Sequence, residues 1–191
     1  MFKVGNNRFV LRLVVATSVV AFLAGCSGGG KRNTNFPNVK IRNFGQMDHR
    51  FYRGAQPRED EFKELKNLGI TTVIDLRDDP RSYERAEVES LGMRYVNIPM
   101  DDRTYPRNEQ VEDFFKVVDD PDTGKFFVHC AGGRHRTGVM GAVYRFRKDG
   151  WDYDRAYKEM EEYDFYTRWG HGPMKDFVWD YWQQQQAQSG R

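Results

Sequence analysis

One segment constrains this chain more than any other. Lys125-Phe126-Phe127-Val128 is an apolar run, and Val139-Met140-Gly141-Ala142-Val143-Tyr144 has helical character. Between them lies His129-Cys130-Ala131-Gly132-Gly133-Arg134-His135-Arg136-Thr137-Gly138. A buried strand, a glycine-containing loop and a helix N-terminus in that order make an anion cradle. Backbone N–H groups converge on one point, and the helix dipole favours negative charge there. The same field lowers the pKa of a cysteine at the start of the loop and favours its thiolate. Arg136 supplies a planar fork of donors suited to phosphate oxygens. The residues therefore imply phosphoryl transfer through a cysteinyl-phosphate.

The rest of the pattern predicts what surrounds the loop. Alternation predicts an early strand over Val39–Phe44, a short one at Phe51–Arg53, and strands over 71–76, 94–98 and 125–128. Helical spacing predicts helices over 58–68, 82–91, 108–118, 137–148, 153–163 and 174–186, with Ser82 a capping residue and Gly69 and Gly92 stops. Strands alternating with helices predict an α/β fold, with a mostly parallel central sheet flanked by helices. Ligands of such sheets bind beyond the carboxyl ends of the strands, where Cys130 falls.

The loop resembles the signature of the protein tyrosine phosphatase superfamily: His-Cys, five residues, Arg, then Ser or Thr. Phe51-Tyr52-Arg53-Gly54-Ala55-Gln56-Pro57, Thr72-Val73-Ile74-Asp75-Leu76-Arg77 and Val96-Asn97-Ile98-Pro99-Met100 resemble upstream strands of its dual-specificity members. The Arg134-His135-Arg136 ending is similar to that of the plant and fungal atypical dual-specificity phosphatases. The resemblance implies the cysteine-phosphatase fold and a nucleophilic Cys130, with Arg136 as bidentate phosphate ligand. Thr137 is expected to hydrogen-bond the sulfur and ease its departure. Ala131, Gly132, Gly133, Arg134 and His135 are expected to bind phosphate through backbone N–H groups. His129 is expected to order the loop, its side chain pointing away from the ligand. The side chains of Arg134 and His135 are expected at the rim, where they bind further phosphates. Arg77, Arg81, Arg103 and Arg107 are expected around the same mouth. The family draws its general acid from an Asp some thirty residues before the Cys. That points to Asp102, with Asp101 close behind. The aromatic residues of the tail (Tyr163, Phe165, Tyr166, Trp169, Trp179, Tyr181, Trp182) are expected to pack the core, and His171 among them to be structural.

The N-terminus reads separately. Lys3, Arg8 and Arg12 precede a short apolar stretch, and Leu23-Ala24-Gly25-Cys26 resembles a bacterial lipoprotein processing site. This implies a signal peptide over 1–25, lipidation of Cys26, a flexible linker over 26–37, a phosphatase domain over 38–187 and a tail over 188–191. It also implies a lipid-anchored protein of the bacterial cell envelope, on the periplasmic side of a membrane. The net charge of +2 falls to −1 without the three cations of the first 25 residues, so nucleic-acid binding has no support. With Cys26 lipidated, Cys130 is the remaining one of two cysteines and has no partner within the chain.

No cofactor or metal is expected, because His129 and Cys130 alone do not make a ligand set. The expected substrate is a phosphorylated protein or an inositol polyphosphate. Two other readings fit the residues less well. A phosphate-recognising module without turnover has no use for Cys130, Arg136 and Thr137 together. A rhodanese-like sulfurtransferase also places a Cys at the start of a loop, but does not explain Arg136 six residues later.

Overall fold

The computed structural model describes Met1 and residues 35–190. The expected signal peptide, most of the linker and Cys26 lie outside the described residues. Five strands form one sheet: β1 (Gly45–Gln46), β2 (Phe51–Ala55), β3 (Ile70–Arg77), β4 (Arg94–Met100) and β5 (Lys125–Cys130). Their order is β1-β2-β5-β3-β4. β1 pairs antiparallel with β2, and the other three pairings are parallel. Six α-helices flank the sheet: α1 (Phe62–Asn67), α2 (Glu84–Ser90), α3 (Asn108–Val118), α4 (His135–Tyr144), α5 (Tyr153–Glu162) and α6 (Gly172–Gln188). The expected α/β architecture with a mostly parallel sheet is what the chain adopts.

β5 occupies the middle of the sheet, and its two faces explain the site. Side chains of a strand alternate between faces. Phe126, Val128 and Cys130 join one apolar cluster with α3, α4, α5 and α6. Phe127 belongs to the opposite cluster, with Phe62 and Leu65 of α1 and Val88 of α2. His129 therefore leaves the strand on the face opposite Cys130. Burial on both sides suits the continuous apolar run of a parallel strand.

Three expectations about local structure are corrected. Val39–Phe44 is not a strand, and only Gly45–Gln46 pairs with β2. Asn43 takes φ +54°, and its buried side chain leaves the strand path to serve the loop described below. Ser82 does not cap α2, which starts after Tyr83 without a side-chain cap. The Tyr83 hydroxyl donates instead to the Pro57 carbonyl, and Glu84 turns into the interior. The helix predicted over 137–148 remains α only to Tyr144, then widens into a π turn, Arg145–Asp149, that ends at Gly150. Buried Arg145 holds that turn through ion pairs to Asp149 and Glu159, both at 2.7 Å. Among the described residues no helix is long and apolar enough to cross a membrane.

Candidate active site

The loop closes at the carboxyl end of β5, where Cys130 gives way to Ala131–Arg134 and then to α4. Gly133 sets its shape. It takes φ +66°, and a Cβ there would lie 2.4 Å from the Gly54 carbonyl carbon and 2.5 Å from its oxygen. Only glycine meets both demands. Two buried side chains grip the loop from behind. Arg53 Nη2 donates to the Gly133 carbonyl at 2.8 Å, and Asn43 Nδ2 donates to the same oxygen at 3.0 Å. Asn43 also reaches the carbonyls of Gly132 and Tyr163. With the loop carbonyls bound outward, its N–H groups are left to face the pocket. Arg53 is 1% exposed, and its guanidinium lies 4.0 Å above the Tyr163 ring. The sequence reading gave neither Asn43 nor Arg53 a role. The available signal was an Arg inside the otherwise apolar β2.

Cys130 is buried at the floor of the pocket. Burial alone would push its thiol up. Arg136, the Thr137 hydroxyl and the N–H groups of Thr137 and Gly132 outweigh that and bring it below the ordinary thiol value. The Thr137 hydroxyl is itself fully buried and has no oxygen or nitrogen partner, which leaves it to the sulfur. Arg136 is fixed by the Met100 carbonyl and by Asp78 Oδ1, both 2.9 Å from Nη1. Asp78 is half-exposed, so it is a displaceable occupant of a fork suited to phosphate.

His129 lies behind the loop and lines neither the pocket above Cys130 nor the cavity beside it. Its Nε2 meets Glu84 Oε1 at 2.6 Å, and its Nδ1 lies 3.8 Å from Asp75 Oδ1, all three groups fully buried. Burial lowers the imidazole pKa, but the Glu84 and Asp75 carboxylates outweigh it and hold the ring above its ordinary value. Asp75, Glu84 and His129 are also the one group of metal-ligating residues brought together among the described residues. Gln56 Nε2 donates to the other oxygen of Glu84 at 2.7 Å.

The pocket above Cys130 has a volume of about 350 Å³. Asp102, Arg103, Arg134, Tyr166, Trp169 and His171 line its walls. The two acid candidates separate clearly. Asp101 Oδ1 accepts the N–H groups of Arg103 and Thr104, at 2.8 and 3.0 Å, which holds its carboxyl below the usual range. Asp102 lines the pocket with an exposed carboxyl, and its backbone carbonyl accepts from His171 Nδ1 at 2.7 Å.

Several expectations at the rim change. His135 is not a projecting base. Its ring is buried and stacked 3.5 Å from that of His171, and burial beside His171 pushes it down to about 3. Arg134 does line the pocket, paired with Asp164 at 3.2 Å. Arg103 joins it, whereas Arg77 and Arg81 line a neighbouring cavity and Arg107 lines neither. The aromatic tail splits. Tyr163, Phe165 and Tyr181 are buried as expected, but Tyr166 and Trp169 form a pocket wall, with Trp169 71% exposed at φ +59°. His171, expected to be structural, both lines the pocket and holds the Asp102 carbonyl.

Comparison with known proteins agrees with this geometry. The dual specificity protein phosphatase TpbA of Pseudomonas aeruginosa (strain UCBPP-PA14) is 28% identical over 166 residues, covering 81% of this chain and 73% of that protein. The inositol diphosphatase DSP3 of Arabidopsis thaliana is 28% identical over 108 residues, 54% of this chain and 53% of its own length. The crystal structure of P. aeruginosa TpbA superposes with a TM-score of 0.67 at 21% identity, over 87% of this chain and 99% of that one. Residues 34–169 match the model of the family described as DSP-PTPase phosphatase fused to NAD+ kinase, and the chain belongs to that family of phosphatases.

Proposed function

We propose that this enzyme hydrolyses phosphate monoesters at Cys130. The observation that carries the proposal is the buried sulfur with a lowered pKa, facing the Arg136 fork inside a loop pinned from behind. A substrate phosphate enters the cradle, displaces Asp78 from Arg136 and accepts the loop N–H groups. The Cys130 thiolate attacks phosphorus in line, and the bond from phosphorus to the ester oxygen breaks. Asp102 protonates that leaving oxygen. Water then attacks the cysteinyl-phosphate while the Asp102 carboxylate takes its proton. The sulfur–phosphorus bond breaks, and the Thr137 hydroxyl stabilises the departing thiolate. Arg136 and the N–H groups hold the equatorial oxygens through both steps.

The preferred substrate class is an inositol polyphosphate or a similarly dense anion, because Arg103 and Arg134 line the pocket beside Arg136. Tyr166 and exposed Trp169 favour a second reading, an aryl phosphate such as phosphotyrosine on a protein, whose ring the aromatic wall fits. We further propose that Cys26 carries a lipid anchor and that the domain over 38–187 works at a membrane of the cell envelope, as the N-terminal sequence pattern suggests.

The test is phosphate release by the full chain, purified in detergent with reductant and chelator. Its substrates are inositol hexakisphosphate and a phosphotyrosine peptide, each run beside Cys130→Ser. The proposal predicts turnover that survives chelation and disappears in the variant. Turnover retained by Cys130→Ser would overturn it.

A further inference from the structure

A second cavity, of about 430 Å³, adjoins the active site. Ala131 lines both, so the two open on either side of the same loop residue. Four arginines face this second cavity, Arg42, Arg58, Arg77 and Arg81, and no carboxylate lines it. Two of the four are neutralised nearby. Arg58 pairs with Asp60 and Glu61, and Arg77 with Asp79. Arg42 and Arg81 are exposed, and among the described residues they have no carboxylate partner.

The floor of the cavity is built rather than incidental. The Arg77 side chain is only 5% exposed, and its Nη1 donates to Gln56 Oε1 at 2.7 Å. Gln56 in turn is held by buried Glu84, the carboxylate that meets His129 behind the loop. Arg77 is a fixed donor whose charge Asp79 balances; the uncompensated positive field comes from Arg42 and Arg81 at the mouth, where no carboxylate lines the cavity. Such a field in a concavity concentrates anions.

We propose that this cavity is a second anion subsite, which binds another phosphate of the molecule whose scissile phosphate lies over Cys130. This rests on the phosphatase reading and narrows its substrate to a small molecule carrying several phosphates. Arg42 and Arg81 supply the charge-assisted bonds, and Arg77 fixes the floor.

The test uses the full chain carrying Cys130→Ser, which binds without turnover, titrated with inositol hexakisphosphate and with phenyl phosphate. Arg42→Ala with Arg81→Ala is expected to weaken inositol hexakisphosphate at least about tenfold while phenyl phosphate changes less than about twofold. Lys63→Ala with Lys158→Ala removes the same charge from exposed positions outside both cavities. That control is expected to leave both affinities in place. Unchanged inositol hexakisphosphate binding, equal losses for both ligands, or an equal loss in the lysine control would overturn the subsite. Weakening confined to an acidic phosphotyrosine peptide would also overturn it, and would give the cavity to a protein substrate. Phosphate release by the chain with Cys130 intact is measured alongside. Absence of turnover with intact Arg42- and Arg81-dependent binding removes the phosphatase reading and leaves the subsite standing.

Discussion

The two sides of the catalytic pocket are built on opposite plans. The side that holds the anion is locked from behind: Arg53 and Asn43 grip the Gly133 carbonyl, and His129 sits on Glu84 with every group buried. The side proposed to supply the proton is open. Asp101, Asp102, Arg103 and Thr104 are all exposed, and their segment is tied to the tail by His171 on the Asp102 carbonyl and, just beyond it, by Tyr105 on Asp180 and Phe177. The difference follows from the chemistry. An electrostatic cradle works only if its dipoles are oriented before charge develops. A proton donor must instead meet leaving groups of varied shape, which an exposed segment allows.

The comparison breaks most completely at Gly133. Gly133→Ala combines a left-handed φ with a Cβ 2.4 Å from the Gly54 carbonyl carbon. We expect kcat/KM to fall by about a thousandfold or more, with a lower melting temperature, because the loop N–H groups lose their aim. Steady-state kinetics with thermal denaturation check this. Retained activity would mean that the loop is not held as described.

The open side gives the next largest effect. Asp102→Asn is expected to lower kcat by about a hundredfold on an alkyl phosphate, and far less on p-nitrophenyl phosphate, whose leaving group needs little protonation. Asp101→Asn should cost stability more than kcat, since its carboxylate binds two backbone N–H groups. The reverse order between the two variants would exchange their roles.

Arg53→Met sharpens the comparison from behind the loop. It removes one of the two side-chain donors on the Gly133 carbonyl and leaves the pocket lining untouched. A loss of about tenfold in kcat/KM is expected, carried by kcat. Recovery of the thiol's ordinary reactivity profile in the variant would show that the buried donor acts through loop orientation.

The smallest effect is on stability against pH. His135 is held down to about 3 in the folded protein, against about 6.5 when unfolded. The unfolded chain therefore binds more protons between those values, and stability falls as the pH drops through that window. His129 has the opposite sign, being raised, so its contribution is complete below about 6.5 and is lost as pH rises through its folded value. Melting temperatures measured across this range should show the acid-side slope flatten in His135→Gln.

The locked side was largely legible in the sequence and its supports were not. Cys130, Arg136 and the glycines announce the loop because strand, turn and helix are consecutive in the chain. The donors behind it come from residues about eighty to ninety positions earlier, at Arg53 and Asn43, and only the sheet order brings them to Gly133. Asn43 even disguised itself, since alternation around it suggested a strand that its positive φ interrupts. His135 misled for a related reason. A basic residue in a phosphate loop suggests a charged rim, yet a second histidine far along the chain stacks on it and helps keep it neutral. What sets Asp101 apart from Asp102 in the fold is that its carboxyl is captured by its own backbone, a detail of one turn that spacing does not encode.

The most direct measurement is an acid-quenched single turnover of the full chain with a radiolabelled phosphate monoester, followed by peptide mapping. The account predicts labelled phosphate bound covalently to the Cys130 peptide, accumulating in the presence of chelator and absent in Cys130→Ser. Turnover without covalent label, or label on another residue, would contradict it.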